Sequence, residues 1–218
     1  NSGALSVMEN TEKLAIALTD GKLCEQPYFN GLSDGEKHIG LPHLEYSTPA
    51  GVVPVAYGGF FQSNSFLNAD FQRYAAGLAA GAKSILELYA GSGFFTAALM
   101  QQASVNALEL NAAAAKLGKQ YGYPIRTANV SDIQQEKSRY DTIFLDPPRD
   151  GVDKKTLAAV QAIAPERIIY VSCNPMTAAR DLQRLESSYK IVEMALFDMF
   201  PQTYHVETVS LLAHQKKL

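Results

Sequence analysis

The chain has 218 residues, 47% of them apolar, and a formal net charge of −3. That length suits one α/β domain plus an extra segment, and the apolar content excludes a disordered chain. No apolar run approaches the roughly 20 residues that span a bilayer and no charged-then-apolar leader is visible, so a cytoplasmic protein without a membrane partner is expected.

Residues 1 to about 58 differ from the rest. Lys13–Thr19 alternates loosely, as a strand would, and Gln26–Pro42 is rich in Gly, Asn, Asp and Pro and reads as loops. Leu44–Ser47 and Val52–Tyr57 read as two strands around a Pro49-Ala50-Gly51 turn. From Ser65 onward helices and strands alternate. Ser65–Ala80 reads as a helix stopped by Gly81, Ser84–Tyr89 as a strand, Phe94–Gln102 as a helix, Val105–Glu109 as a strand and Ala112–Tyr121 as a helix. Asp141–Leu145 and Arg167–Ser172 read as strands, each followed by a helix, Lys154–Ile163 and Met176 to about Glu186. Ile191–Phe197 and Thr208–Ala213 close the chain as strands. This order predicts an α/β fold with a doubly wound, mostly parallel sheet, preceded by a small β-rich segment. Ligands of such folds bind outside the carboxyl ends of the strands.

Three stretches at those ends carry chemistry. In Glu87-Leu-Tyr-Ala-Gly91-Ser-Gly93 the glycines permit a tight strand-to-helix turn and close approach of a ligand. Glu109, at the end of the next strand, is placed to accept from both hydroxyls of a ribose. Thr96 stands where a dinucleotide fingerprint wants a small residue, and no lysine follows the glycines as in a phosphate-binding loop. An acidic Glu87 instead suits a cationic adenosine ligand such as S-adenosylmethionine (SAM). The alternative is a turn that serves packing alone.

Asp146-Pro-Pro-Arg149 leaves a strand with two prolines that stiffen the exit and hold Asp146 at the crevice. Ser172-Cys173-Asn174-Pro175 leaves another, with Pro175 suited to a first helical turn. A helix N-terminus beside Cys173 is expected to lower the thiol pKa. The two cysteines, Cys24 and Cys173, form no metal-ligand set or disulfide framework, so each reads as a free thiol, and Cys24 as a small buried hydrophobe. Near the end, Asp198–Glu207 gathers polar groups between two apolar strands.

Together these residues resemble the family of RNA 5-methyluridine methyltransferases, from about Phe60 to the C-terminus. Phe60-Phe61-Gln62-Ser63-Asn64 is similar to the family's Phe-Gln-x-Asn motif, and Glu87–Gly93 to its SAM turn. Asp146–Arg149, Ser172–Pro175 and Asp198–Glu207 follow in the family's order. The resemblance implies Cys173 as nucleophile and Glu207 as base. It implies Gln62, Tyr89, Gly91, Gly93, Phe94, Glu109 and Asp146 as SAM-binding positions, and Gln62, Asp146 and Arg149 as substrate contacts. It implies SAM as cofactor, no metal, and transfer RNA or large-subunit ribosomal RNA as partner, with a monomer expected. Gln202 departs from a histidine common in the family, and the cysteine set of the family's iron–sulfur members is missing. Residues 1–58 correspond to the end of a β-rich central subdomain and 59–218 to the catalytic domain. Many members of the family also carry an N-terminal β-barrel RNA-binding domain, and the sequence, which opens on Asn1, leaves open whether one precedes it.

The chemistry so implied is attack of Cys173 on carbon 6 of uracil, methylation at carbon 5, and removal of the carbon 5 proton by Glu207. The target base has to leave its stack first, with Phe61 and Tyr204 as stacking candidates. Arg149, Lys154, Lys155, Arg180 and Arg184 are candidates for phosphate contacts. Two other readings compete: an amino-group methyltransferase acting on purines, which needs no cysteine, and a non-catalytic RNA-binding module that kept the fold.

Overall fold

The computed structural model describes residues 4–5, 31–33, 38–40, 43–56, 59–62, 64–135 and 138–215. Cys24 and Lys13–Thr19 lie outside the described residues. Three short strands, β1 (Ala4–Leu5), β2 (Gly31–Ser33) and β3 (His38–Gly40), form one small sheet, β2 parallel to β1 and antiparallel to β3. Two of them fall in the stretch read as loops. Those two strands have three residues each, one beginning and the other ending on glycine, and leave a composition dominated by turn formers. β4 (His43–Thr48) and β5 (Gly51–Ala56) pair as the expected antiparallel hairpin.

The main sheet holds β6 (Ser84–Leu88), β7 (Ser104–Glu109), β8 (Ile125–Thr127), β9 (Thr142–Leu145), β10 (Arg167–Ser172), β11 (Tyr189–Phe197) and β12 (Glu207–His214), in the order β11-β12-β10-β9-β6-β7-β8. All neighbours are parallel except β12, which runs against both β10 and β11. The helices are α1 (Asn68–Gly77), α2 (Phe94–Leu99), α3 (Ala112–Gln120), α4 (Lys154–Ile163) and α5 (Pro175–Leu185). Period-two alternation divides the strand side chains between two cores. Leu86, Leu88, Ile143, Leu145, Ile168 and Tyr170 meet Leu157, Val160, Leu182 and Leu185 from α4 and α5. Ile85, Phe144, Ile169 and Val171 point the other way, to Phe71 and Ala75 of α1 and Phe95 and Leu99 of α2. Burying each large apolar side chain contributes about 1.5–3 kcal/mol, which makes these central strands the firmest part of the fold.

The hairpin is fastened beside α3. Tyr121, which caps that helix, bonds His43 at 2.5 Å and also donates to Glu45, and Tyr123 donates to the Val52 carbonyl at 2.6 Å. α1 begins at Asn68 rather than at Ser65, because the Asn64 side chain accepts from the backbone N–H groups of Phe66 and Leu67 and makes a separate turn there. Among the described residues no helix is long and apolar enough to cross a membrane.

Candidate active site

In parallel strands the carboxyl ends lie side by side. Leu88 is level with Leu108 and with Leu145, and Leu145 with Tyr170. Tyr89, Glu109, Asp146 and Cys173 therefore share one edge of the sheet. β12 runs the other way, with Thr208 opposite Ser172. Its first residue, Glu207, starts where β10 stops. One antiparallel strand thus brings Glu207 to the edge that carries Asp146 and Cys173.

The three groups perturb one another. Glu207 is buried, while Asp146 and Cys173 are half-buried. Burial pushes Glu207 up to about 7. Burial, then the nearby Glu207 charge, pushes Asp146 up to about 8. The Cys173 thiol is also pushed up, by burial first and then by Glu207 and Asp146, with Arg149 acting in the opposite sense. This corrects the expectation of a thiol pKa lowered by the helix. The N-terminus of α5 is capped by Asn174, whose side chain accepts from Met176 N–H at 3.1 Å, and two carboxylates plus burial outweigh what remains of its positive end.

The glycine turn is held by Glu109. One carboxylate oxygen accepts from Gly91 N–H at 2.8 Å and the other from Asn111 N–H at 2.7 Å. Gly93 is at φ 110° at the start of α2, and a Cβ there would stand 2.5 Å from the Tyr123 ring. Gly91, at φ 57°, would meet nothing within 4 Å, so its side of the turn is open. Glu87 is 1% exposed and its Oε2 has no partner. Burial pushes it up to about 8, with Thr96 opposing and Asp146 and Glu109 adding. Gln62 is buried too, and its Oε1 also has no partner. A buried polar atom without a partner costs about 1–3 kcal/mol. Two of them, at positions proposed from the sequence to face a ligand, fit a molecule that brings N–H donors or positive charge, as SAM does.

The aromatic candidates separate. Tyr89, at φ 66°, is half-buried against the α4–α5 core with Thr156 beside its hydroxyl. Phe94 is half-buried and edge-on to Phe61 at 5.5 Å. Phe61 itself is stacked on Tyr46 at 3.8 Å. Its ring is used in docking the hairpin, which corrects its reading as a platform for the substrate base. Tyr204 is 86% exposed with its ring 4.1 Å from that of His205, and Arg149 Nη2 lies 3.2 Å from His205 Nδ1.

A buried clamp joins the two chemical loops, and the sequence reading passed over it. The Arg149 carbonyl accepts from Asn174 Nδ2 at 3.2 Å and Thr177 Oγ1 at 3.1 Å. Asp181, 0% exposed, accepts from Val152 N–H at 2.7 Å, Tyr170 O–H at 2.8 Å, Arg180 Nε at 2.9 Å and Arg184 Nη1 at 3.2 Å. Arg180 also donates to the Asp150 carbonyl at 2.7 Å. Gly151 sits so close that a Cβ would be 2.4 Å from Asp181 Oδ2. Arg180 and Arg184, read from sequence as phosphate contacts, are thus turned to Asp181, and Lys155 lies 3.4 Å from Asp132. The spacing Asp181-x-x-Arg184 was the available signal, since residues three apart share a helical face.

Residues 123–215 match the family model described as tRNA (uracil-5-)-methyltransferase. An uncharacterized RNA methyltransferase of Thermotoga maritima is 38% identical over 165 residues, 70% of this chain and 38% of that protein. The tRNA (uracil(54)-C(5))-methyltransferase of Pyrococcus horikoshii is 35% identical over 158 residues, again 70% of this chain and 38% of that protein. This chain therefore spans well under half the length of these relatives. The crystal structure of the Pyrococcus abyssi tRNA (uracil-54, C5)-methyltransferase in complex with S-adenosyl-L-homocysteine superposes with a TM-score of 0.76 at 26% identity, covering 85% of this chain and 51% of that one. Its sheet, its strand-end residues and these matches agree in likening this chain to the tRNA (uracil-5-)-methyltransferases.

Proposed function

We propose that this chain is the catalytic part of a SAM-dependent methyltransferase that forms 5-methyluridine in transfer RNA, with residues 59–218 as its catalytic domain. One observation carries the reading: Cys173, Asp146 and Glu207 meet at the carboxyl edge of the sheet that also holds the open glycine turn. The names of the relatives support the substrate class.

Gly91, Glu109, Glu87 and Gln62 would hold the cofactor. The Gly91 side of the turn admits it, Glu109 has lone pairs left for ribose hydroxyls, and Glu87 and Gln62 offer their unpartnered oxygens to its cationic end. When bound, SAM supplies a methyl group on a sulfonium.

Cys173 attacks carbon 6 of uracil as thiolate, and the ring becomes an enolate that is electron-rich at carbon 5. The raised thiol pKa keeps the resting side chain mostly neutral, so the reactive fraction grows with pH. Asp146, pushed up to about 8, carries a proton at neutral pH. It then offers one donor and one acceptor to a pyrimidine edge rather than two acceptors. Once carbon 5 bears its methyl group, the Glu207 carboxylate takes the carbon 5 proton. A base poised near 7 is well matched to that task. Elimination then returns the Cys173 thiolate and leaves 5-methyluridine.

The test is incubation with SAM and unmodified transfer RNA or ribosomal RNA transcripts, followed by nucleoside mass spectrometry. Methyl on uridine carbon 5 in the transfer RNA, absent with Cys173→Ala, is the expected result. Methyl on a purine, or activity that survives in the variant, overturns the reading.

A further inference from the structure

Three turns next to the site each carry a large side chain bared to solvent. Phe66 is 93% exposed, Tyr204 86% and Met176 79%. Single exposed apolar residues are ordinary on protein surfaces. These three are tied into one rim by hydrogen bonds around the site. The Asn64 side chain accepts from Phe66 N–H at 3.1 Å and donates to the Met199 carbonyl at 3.2 Å, which joins the Phe66 turn to the loop that leads to Glu207. On that loop the His205 ring packs near Phe200 and Tyr204, and its Nδ1 lies 3.2 Å from Arg149. Arg149 is fixed through its carbonyl to Asn174, which caps the helix turn bearing Met176. Along the chain Gln62 lies four residues from Phe66, and Glu207, Cys173 and Asp146 lie three residues from Tyr204, Met176 and Arg149.

We propose that Tyr204, Phe66 and Met176 form a stacking rim for the unpaired RNA bases on either side of the target uridine, with Arg149 and His205 placed for the phosphate between them. The inference rests on the reading of the site as a uridine methyltransferase. It adds which neighbours the enzyme holds and how. A target base swung out of its stack leaves its neighbours with bare faces, and aromatic or thioether side chains cover such faces without regard to sequence. The guanidinium next to an exposed ring favours a polyanion over a neutral protein surface.

The experiment uses the full chain and a short single-stranded RNA with one central uridine flanked by 2-aminopurines, whose fluorescence falls on stacking. The wild type is expected to quench it on binding. Tyr204→Ala removes most of the quench and weakens binding about fivefold or more, the low end for one lost base–aromatic stack. Tyr204→Phe restores both, and Phe66→Ala and Met176→Ala each give a smaller loss. The substituted side chains are solvent-exposed, so thermal unfolding is unchanged in all four. A wild type that does not bind or quench the RNA overturns the proposal, as does a Tyr204→Ala protein that does both normally. Uridine methylation by the same samples is scored separately, so a working enzyme with a silent rim refutes this inference while leaving the site reading in place.

Discussion

Asp181→Ala tests whether the buried clamp is as consequential as its geometry implies. The substitution strips partners from two buried donors, the Tyr170 hydroxyl (0% exposed) and the Val152 N–H (1% exposed). Each orphaned donor costs about 1–3 kcal/mol. Arg180 and Arg184 are 42% and 33% exposed and turn to water at little cost. The sum is about 4 kcal/mol, in line with the ~3–5 kcal/mol lost when one partner of a buried pair is removed. That is a large part of the ~5–15 kcal/mol that stabilises a typical domain. In a chain this long it corresponds to a fall in Tm of roughly 8–16 °C. The assay is urea unfolding with a double-mutant cycle against Tyr170→Phe. Alone, Tyr170→Phe costs about 1 kcal/mol. Added to Asp181→Ala it restores part of the lost stability, because it removes the stranded hydroxyl and leaves only the Val152 N–H orphaned. A coupling below about 0.5 kcal/mol, the range of independent sites, refutes the reasoning.

Three further outcomes follow from the site. Glu207 is pushed up to about 7 and acts as base only when deprotonated, so methylation by the wild type falls as pH drops through about 7, and Glu207→Gln abolishes turnover at every pH while cofactor binding persists; a wild-type rate flat from pH 6 to 8 contradicts this. Glu87 keeps its proton up to about 8 when folded and loses it near 4.5 when unfolded, so between those values the folded state binds more protons and stability falls as pH rises. Glu87→Gln removes that dependence, and its Tm advantage over the wild type grows from pH 5 to pH 8; an advantage that shrinks with pH gives the wrong sign and sinks the argument. Gly93→Ala forces a side chain into a positive-φ position against the Tyr123 ring, costing about 1–3 kcal/mol and weakening SAM binding in calorimetry, whereas an unperturbed Gly93→Ala protein shows the turn to be slack.

The parallel strands were legible because their apolar runs are bounded by turn residues and alternate between two cores. Lys154–Ile163 and Arg167–Ser172 came out at the predicted boundaries. β8 was missed: it has three residues, two of them exposed, and follows Pro124 with no run to read. The site was legible as a set of strand ends, but its electrostatics were not. Sequence shows Cys173 beside a helix start, whereas the carboxylates that set its pKa arrive from β9 and β12 through the sheet order. Phe61 reads as a bare aromatic next to a motif, and only the fold of the hairpin puts Tyr46 on its face. Asp181 hides between two arginines that, taken singly, look like solvated cations.

The central claim is that Cys173 makes a covalent bond to carbon 6 of the target uracil. Fluorine at carbon 5 cannot leave as a proton, so RNA with 5-fluorouridine should hold the chain at the adduct that Glu207 would otherwise resolve. Intact-mass spectrometry of the chain with SAM and 5-fluorouridine transfer RNA is predicted to show a stable protein–RNA species that maps to Cys173 and is absent with Cys173→Ala. Methylation of ordinary transfer RNA with no such species, or an adduct that persists in the variant, would contradict the account.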